Sequence, residues 1–338
     1  MTYMLDAPAK RLHPQATYRG AETVLTIGIS YYKGEFPTKP GPAFGRVARY
    51  AWGLDYHEVI SKRLEQLVAT IESMLGGVRV ATAVDSKPLM ERALAQSASL
   101  GFLGKNTLLI IPRQLQGAFH VGSWIFLAEI LLSAPLEQTL SSPSTEAPAG
   151  CGSCTRCMTE CPTGAFDRPY FVKSERCISY LNIENKGWIP TEMRPRLSDW
   201  IFGCDVCQEV CPFNARAFKS RWPEFESDQG AGPWVSLKEM LSIPDQPAFK
   251  KRWGHTPLAR PKRRGLLRNA LVVAGNSRDG NLIPSILALL EDSEPILRGH
   301  AFWALNQLSP SAAKAAANQK WSSEIDADVR AELDLILR

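Results

Sequence analysis

From the N-terminus to about position 140, apolar side chains recur at two different periods. Val24 to Tyr32 is rich in β-branched and aromatic residues and predicts a strand. A loop rich in proline and glycine follows, from Phe36 to Gly45. Tyr56 to Leu75 then carries Val59, Ile60, Leu64, Leu67, Val68, Ile71 and Leu75 at helical spacing, and Gly76-Gly77 ends the pattern. Val78–Val84 predicts a second strand, Pro88–Leu100 a helix ending near Gly101, and Thr107–Ile111 and Ser123–Leu132 buried strands. This mixture predicts one α/β or α+β domain. The stretch 133–150, SAPLEQTLSSPSTEAPAG, has the Ser/Pro/Thr composition of a linker.

Beyond residue 246 the pattern becomes helical and repeats. Leu267-Arg268-Asn269-Ala270-Leu271 recurs as Leu297-Arg298-Gly299-His300-Ala301 and as Val329-Arg330-Ala331-Glu332-Leu333, so the arginines fall at positions 268, 298 and 330. Ile286 to Leu290, followed by Glu291-Asp292, fits the second helix of a pair. Such periods predict stacked helical hairpins resembling HEAT repeats, and a plain helical bundle is the alternative.

Composition narrows the class. The 338 residues are 45% hydrophobic and 22% charged, as in an ordinary globular protein. The longest apolar stretch, around Trp124 to Leu132, is interrupted by Glu129 and is too short to span a bilayer. The start, MTYMLDAPAK, lacks the apolar core of a signal peptide and a twin arginine, so a cytoplasmic location is expected. The net charge of +5 is mild, but its distribution is not. From Gln246 to Arg278 there is no acidic residue, whereas Lys250, Lys251, Arg252, Arg260, Lys262, Arg263, Arg264 and Arg268 fall there with Trp253 and His255 among them. Phosphate backbones attract such a segment, although a solvated helix face has the same composition.

The cysteines carry the chemistry. All eight lie between Cys151 and Cys211. In a reducing compartment an even set of this kind points to metal rather than disulfides. Cys151, Cys154, Cys157 and Cys161-Pro162 form C-x2-C-x2-C-x3-C-P, the bacterial ferredoxin run, in which the fourth thiolate reaches the other cluster. Cys204, Cys207 and Cys211-Pro212 form a run one ligand short, and Cys177 supplies the missing thiolate. The fourth-ligand rule assigns Cys151, Cys154, Cys157 and Cys211 to one 4Fe–4S cluster, and Cys161, Cys177, Cys204 and Cys207 to the other. Two zinc sites would use the same residues, but zinc sites usually pair two separated C-x2-C knuckles. Two clusters in one small module imply electron transfer to a further redox centre, a substrate site or a protein partner.

Four further segments accompany the displaced Cys177. They are Arg49-Tyr50-Ala51-Trp52-Gly53-Leu54-Asp55-Tyr56-His57, Val84-Asp85-Ser86-Lys87-Pro88-Leu89-Met90-Glu91-Arg92, Gly101-Phe102-Leu103-Gly104-Lys105-Asn106-Thr107-Leu108-Leu109 and Gly122-Ser123-Trp124. Together with the cassette, over roughly residues 1–220, they resemble the epoxyqueuosine reductase family, some members of which also carry a HEAT-like tail. The resemblance implies cobalamin and two 4Fe–4S clusters as cofactors, and a tRNA substrate modified at its wobble position. The reaction would turn an epoxide on a cyclopentane ring into an alkene, with two electrons taken up and water leaving. A strongly reduced cobalt would act on the epoxide and a carboxylic acid would supply a proton. The matching residue is Asp85, which by position alone could equally be a helix N-cap.

The implied fold is α+β with an α/β-like cobalamin-binding domain over 1–140. A ferredoxin-like double-cluster module follows over 141–225, then a basic linker with HEAT-like helices over 226–338. Tyr56 and His57 would line the cobalamin pocket, with no histidine on cobalt. Lys105 and Asn106 could grip corrin amides or phosphate, or form an ordinary turn. Ser179, Tyr180, Leu181 and Asn182 follow Cys177 and could lie against the corrin. Lys250, Lys251, Arg252, Lys262, Arg263 and Arg264 would hold the phosphates of the tRNA anticodon stem, with an unstacked base in the active site. An external flavodoxin or ferredoxin system would donate electrons to a monomeric enzyme. Two departures stand out. Family members usually have a helical segment before the position of Tyr3-Met4, where this chain starts. Some also have a cysteine near Arg49 to Gly53, absent here, which implies that no thiol is required at that place. A corrinoid reductive dehalogenase has the same cofactors but is typically exported with a twin-arginine signal. A plain ferredoxin-like carrier would leave the region 1–140 without a role.

Overall fold

The computed structural model describes residues 8–113, 120–137 and 150–338. Most of the expected linker, 138–149, lies outside the described residues, as does the start of the chain, 1–7. The strands are β1 (Thr23–Ser30), β2 (Phe44–Val47), β3 (Val80–Ala83), β4 (Phe102–Leu103), β5 (Leu109–Ile110), β6 (Ile125–Leu132), β7 (Trp200–Phe202) and β8 (Trp234–Ser236). The helices are α1 (Pro8–Leu12), α2 (Pro14–Thr17), α3 (Tyr56–Leu75), α4 (Glu91–Ser97), α5 (Arg156–Thr159), α6 (Val206–Glu209), α7 (Leu237–Leu241), α8 (Gln246–Trp253), α9 (Lys262–Ser277), α10 (Ile283–Ala288), α11 (Pro295–Leu308), α12 (Pro310–Lys320) and α13 (Ala327–Leu337). The mixed α+β class agrees with the sequence pattern.

The chain forms two compact units, each assembled from three separate stretches. The first comprises Met1–Gly34, Asp55–Lys173 and Val206–Phe225. Its sheet has the order β1-β6-β3, with β6 antiparallel to both neighbours. The apolar run in β6, broken only by Glu129, explains that place, because a central strand is covered on both faces. Helix α3 follows the expected span from end to end. Asp55 caps its N-terminus by accepting from the His57 backbone N–H, and Gly76, at φ +52°, ends it. Only the first half of its apolar stripe is covered; Leu67 and Leu75 are more than a third exposed. Helix α4 packs on β1 and β6. It is shorter than the sequence pattern suggests, because Asp85 (φ +47°) turns the chain out of β3 and the helix does not begin until Glu91.

The second unit comprises Glu35–Leu54, Ser174–Asp205 and Glu226–Arg338. Its small sheet is β7-β2-β8, in which β2 is parallel to β7 and antiparallel to β8. Strand β2 starts inside the stretch expected as a loop. Its partners, Trp200–Phe202 and Trp234–Ser236, lie far along the chain, so no local pattern marks it. Arg46 stacks against the rings of Phe36, Trp200 and Trp234, about 5 Å from each centroid. The helices place α11 between α9 and α13. Leu267, Leu297 and Val329, the residues before the three repeated arginines, are all fully buried along this row. Among the described residues no helix is long and apolar enough to cross a membrane.

Candidate active site and cluster-binding loops

The cysteine loops divide between the units: Cys177 and Cys204 belong to the second, the other six to the first. Cys151, Cys154, Cys157 and Cys211 line one cavity with Asn106, Ile110, Pro212 and Phe213. Burial, and then the neighbouring thiols, push the Cys211 thiol up to about 11, and burial likewise raises Cys157. Cys157 and Cys211 resist ionising there unless a cation shares their charge. The donor set, closed by a buried Cys211, therefore fits an iron–sulfur cube.

Several sequence motifs turn out to serve these loops. Lys105 points its backbone N–H at Cys151 Sγ (3.4 Å), and its Nζ donates to the carbonyls of Gly152 (2.7 Å) and Cys154 (2.9 Å). Asn106 is buried, donates to the Cys207 carbonyl (3.4 Å) and accepts from the Leu108 N–H. Lys105 and Asn106 are therefore turned onto the cysteine cassette, not toward corrin amides or phosphate. The Gly122-Ser123-Trp124 motif acts in the same way. Asn214, three residues beyond Cys211, accepts from the Ser123 N–H (2.7 Å) and donates to the Gln208 carbonyl, while Gln208 donates to the Ser123 carbonyl. Gly122 sits at φ +60°, where a Cβ would lie 2.1 Å from Asn214 Oδ1. In the second unit, Arg49 donates from its backbone (2.9 Å) and its Nη1 (3.1 Å) to Asp205, the residue after Cys204.

The first unit also carries a carboxyl-rich pocket of about 180 Å³, lined by Tyr56, Asp85, Glu91, Arg92, Leu108, Leu109, Ser123 and the β6 residues Ile125 to Leu127. Asp85 lies two residues past the end of β3 and its side chain is 66% exposed. Tyr56 Oη donates to Asp85 Oδ2 (2.8 Å), and the Asp85 backbone N–H donates to Glu91 Oε1 (2.8 Å). The Tyr56 ring is fixed by stacking on Phe126 at 4.2 Å and on His57 at 4.1 Å. His57 Nδ1 meets Asp55 Oδ1 at 2.8 Å, and its Nε2 lies 3.9 Å from Asp85 Oδ2. Burial opposes ionisation of Asp55, but hydrogen bonds from the His57 side chain and backbone outweigh it and hold the carboxyl below its usual range. The sequence reading thus placed Tyr56, His57 and Asp85 together, and the structure does so.

It missed Glu129 and Glu91 as members of this group. Glu129 is fully buried on β6, and no N–H donor among the described residues reaches either carboxylate oxygen. Burial, followed by the charge and side-chain contact of Glu91, pushes it up to about 9. Burial and Asp85 raise Glu91 to about 7. The sequence signal was present: Glu129 is the one charged residue in the apolar run from Trp124 to Leu132.

In the second unit, Tyr180–Glu184 forms a π-turn after Cys177. Ser179 and Tyr180 are half-buried, but Leu181 and Asn182 are buried in the protein itself. Asn182 donates to the Gly203 carbonyl (3.0 Å) and accepts from the Gly203 N–H (2.9 Å). Its own carbonyl accepts from Asn269 (2.6 Å) and that of Leu181 from Arg268 (2.8 Å). With those groups engaged, Leu181 and Asn182 shape the turn and present nothing to a corrin.

Two members of the basic segment need the same correction. Arg263 is buried, donates to the Ile243 carbonyl and pairs with Asp292 at 2.6 Å, so it is unavailable to RNA. Arg268 is fully buried and also donates to the carbonyls of Asn185 and Gly187. Lys250, Lys251, Arg252, Arg260, Lys262 and Arg264 remain exposed, with Arg252 paired to Glu239, Arg260 to Glu184 and Arg264 near Glu294. The fold adds Lys186, which the sequence reading overlooked. Burial lowers its pKa, and the nearby charges of Arg260, Arg268 and Lys262 lower it further against an opposing Glu184.

Residues 150–214 match the family described as "4Fe-4S double cluster binding domain", and residues 11–86 match "Epoxyqueuosine reductase QueG, DUF1730". The epoxyqueuosine reductase of Xanthomonas campestris pv. campestris is 37% identical over 315 residues, covering 91% of this chain and 84% of that protein. The chain belongs to the epoxyqueuosine reductase family. The Bacillus subtilis epoxyqueuosine reductase is 30% identical, over 96% of this chain and 81% of its own length. Among solved structures, an epoxyqueuosine reductase with an epoxyqueuosine-modified tRNA-Tyr stem loop superposes with a TM-score of 0.86 at 29% identity, covering 98% of this chain and 85% of that one. The Bacillus subtilis epoxyqueuosine reductase with an aspartate-bearing catalytic loop swung out of its active site gives 0.85 at 28% identity, covering 98% and 87%. As an epoxyqueuosine reductase the chain is an oxidoreductase, and it carries a double 4Fe–4S binding domain.

Proposed function

We propose that this protein reduces epoxyqueuosine to queuosine at the wobble position of tRNA, with Asp85 as proton donor and with cobalamin and two 4Fe–4S clusters as cofactors. The observation that carries the reading is the Tyr56–Asp85–Glu91 arrangement at the end of β3, an oriented and accessible carboxyl at a pocket in a chain of this family. Asp85 gives a proton to the epoxide oxygen, and Tyr56 and the Asp85 backbone bond hold the carboxyl in place while it does so. Cobalamin would supply a strongly reducing metal centre for the carbon–oxygen bond cleavage. Residues at this pocket could hold one edge of such a group: Leu108, Leu109, Ile125 and Leu127 offer an apolar wall and Tyr56, Asp85 and Ser123 a polar rim. His57, held by Asp55, orients Tyr56 and Asp85 and is not assigned to cobalt.

Two 4Fe–4S clusters would supply one-electron transfer from an external flavodoxin- or ferredoxin-type donor. Cys151, Cys154, Cys157 and Cys211 hold one, and Cys161, Cys177, Cys204 and Cys207 the other. The tRNA partner is supported by the related structure with an epoxyqueuosine-modified stem loop and by the exposed cations Lys186, Lys262 and Arg264, with Arg264 donating to the Lys186 carbonyl. The row of α9, α11 and α13 with equivalent buried residues supports HEAT-like stacking as the scaffold of those cations. A cytoplasmic monomer, with a catalytic part over 1–140, a cluster part over 141–225 and a helical part over 226–338, completes the reading.

Anaerobic, cobalamin-reconstituted protein is expected to hold about eight iron atoms and one cobalt per chain. It should convert an epoxyqueuosine-containing anticodon stem loop, and Asp85→Asn should slow that conversion by about 10²-fold or more. Zinc in place of iron, or full activity in Asp85→Asn, refutes the respective part.

A further inference from the structure

Removing the epoxide oxygen as water takes two electrons and two protons: both carbon–oxygen bonds break, an alkene forms, and the oxygen leaves with two hydrogens. Asp85 can hold only one of those protons. Its carboxyl faces solvent in the free protein, but a bound RNA base and cofactor would cover the pocket and cut that supply. A second proton needs a local source.

The β-sheet contains one. Glu129 projects from the same face of β6 as Leu127 and Ile125, which line the pocket. In register it stands opposite Thr26 on β1 and Ala83 on β3. It is 0% exposed, no N–H donor among the described residues reaches its two oxygens, on which the Glu91 carboxyl acts, and the buried Thr26 hydroxyl opposite is without a partner among the described residues. A bare carboxylate there would be very costly, and no cation among the described residues is placed to pair with it. The charged groups that act on it are Glu91 from α4 and Asp85 from the loop after β3. Arg92 is directed to the Thr107 carbonyl instead. Glu91 lies between Glu129 and Asp85: its charge and side chain act on Glu129, and its Oε1 accepts from the Asp85 backbone N–H.

We infer that Glu129 and Glu91 form a proton reserve for Asp85, with Glu129 storing the second proton of each turnover and Glu91 passing it on. This rests on Asp85 being the donor. The first proton leaves Asp85 as the ring opens. Glu91 then gives its proton to the Asp85 carboxylate and takes one from Glu129, and the refilled Asp85 protonates the departing hydroxide to water. Solvent returns one proton to Asp85 and one to Glu129 after product leaves, and the two electrons come from the external donor already named. The raised pKa values of Glu129 and Glu91 agree with a protonated store near neutral pH. Both glutamates act through Asp85 and are positioning residues.

The test uses Glu129→Gln and Glu91→Gln in the reconstituted holoenzyme. The amide oxygen of Glu91→Gln can still accept from the Asp85 N–H, so the loop keeps its hold while proton passage stops. The first readout is the infrared carbonyl band of a protonated, water-shielded carboxylic acid at pH 8, expected in the wild type and in Glu91→Gln and absent in Glu129→Gln. The second is the pH profile of stem-loop turnover. Both variants should keep near-normal KM, approach wild-type kcat in acid, and lose about tenfold or more in kcat at pH 8. Wild-type profiles in both variants, or a wild-type spectrum without the band, overturn the reserve. Asp85→Asn keeps the failures apart: with turnover lost but the band present, the Asp85 assignment stands whatever the glutamate variants do. If Asp85→Asn turns over normally, the donor reading falls first.

Discussion

Glu129→Gln should change how stability depends on pH. In the folded protein the Glu129 pKa is about 9 against an ordinary value of 4.5. The native state therefore binds this proton more tightly than the unfolded chain does. Its contribution is complete below about pH 4.5 and is lost as pH rises, until the native carboxyl itself ionises near 9. Each pH unit in that window removes about 1.4 kcal/mol, so the wild type should lose about 4 kcal/mol from this group between pH 5 and 8. Glu91, raised to about 7, adds a loss of the same sign up to neutrality. A glutamine cannot ionise, and whatever its amide costs in the apolar site is the same at every pH. The informative quantity is thus the change with pH of the difference between variant and wild type. Thermal midpoints of the anaerobic holoprotein, taken at one scan rate between pH 5 and 8, would measure it. For a unit of this size, about 4 kcal/mol corresponds to roughly 8–16 °C, in favour of Glu129→Gln as pH rises. Two curves that stay parallel across that range would refute a neutral, buried Glu129.

The loops and the exposed basic residues give two further expectations. Gly122→Ala puts a Cβ 2.1 Å from Asn214 Oδ1 and 2.4 Å from the Phe213 carbonyl at φ +60°, so it should cost about 2 kcal/mol or more and drop the iron content toward half as the Cys211 loop shifts. Iron analysis of the purified variant checks this, and full iron loading would contradict it. Combined Lys262→Glu and Arg264→Glu should weaken tRNA binding and lower the slope of log affinity against log salt by about 1 for each phosphate no longer held, as titrations at several salt concentrations would show. An unchanged slope would remove these residues from the RNA site.

Local chemistry made much of this protein legible from its sequence. The cysteine spacing, the span of α3 between Asp55 and Gly76, and the apolar run of β6 depend on neighbours within a few positions, and each appears where the pattern put it. Asp85, Tyr56 and His57 were found together through motifs. What failed was the direction in which side chains point. Arg263 and Arg268 look like their exposed neighbours in a basic run, but one turn of helix carries them inward, onto Asp292 and onto the carbonyls that follow Cys177. Lys105 and Asn106 read as ligand-gripping residues, yet a fold that brings residues 105–106 against 151–154 and 207 makes them supports for sulfur.

Spacing along the chain thus determined the cluster chemistry and the main elements, since thiolate runs and helical stripes are short-range properties. Only the tertiary structure decided which charges are buried. Burial depends on elements far apart in the chain, such as β1 and β6, closing over a side chain. That closure takes water from Glu129, leaves it beside Glu91 and Asp85, and turns one acidic residue in an apolar strand into a carboxyl that holds its proton.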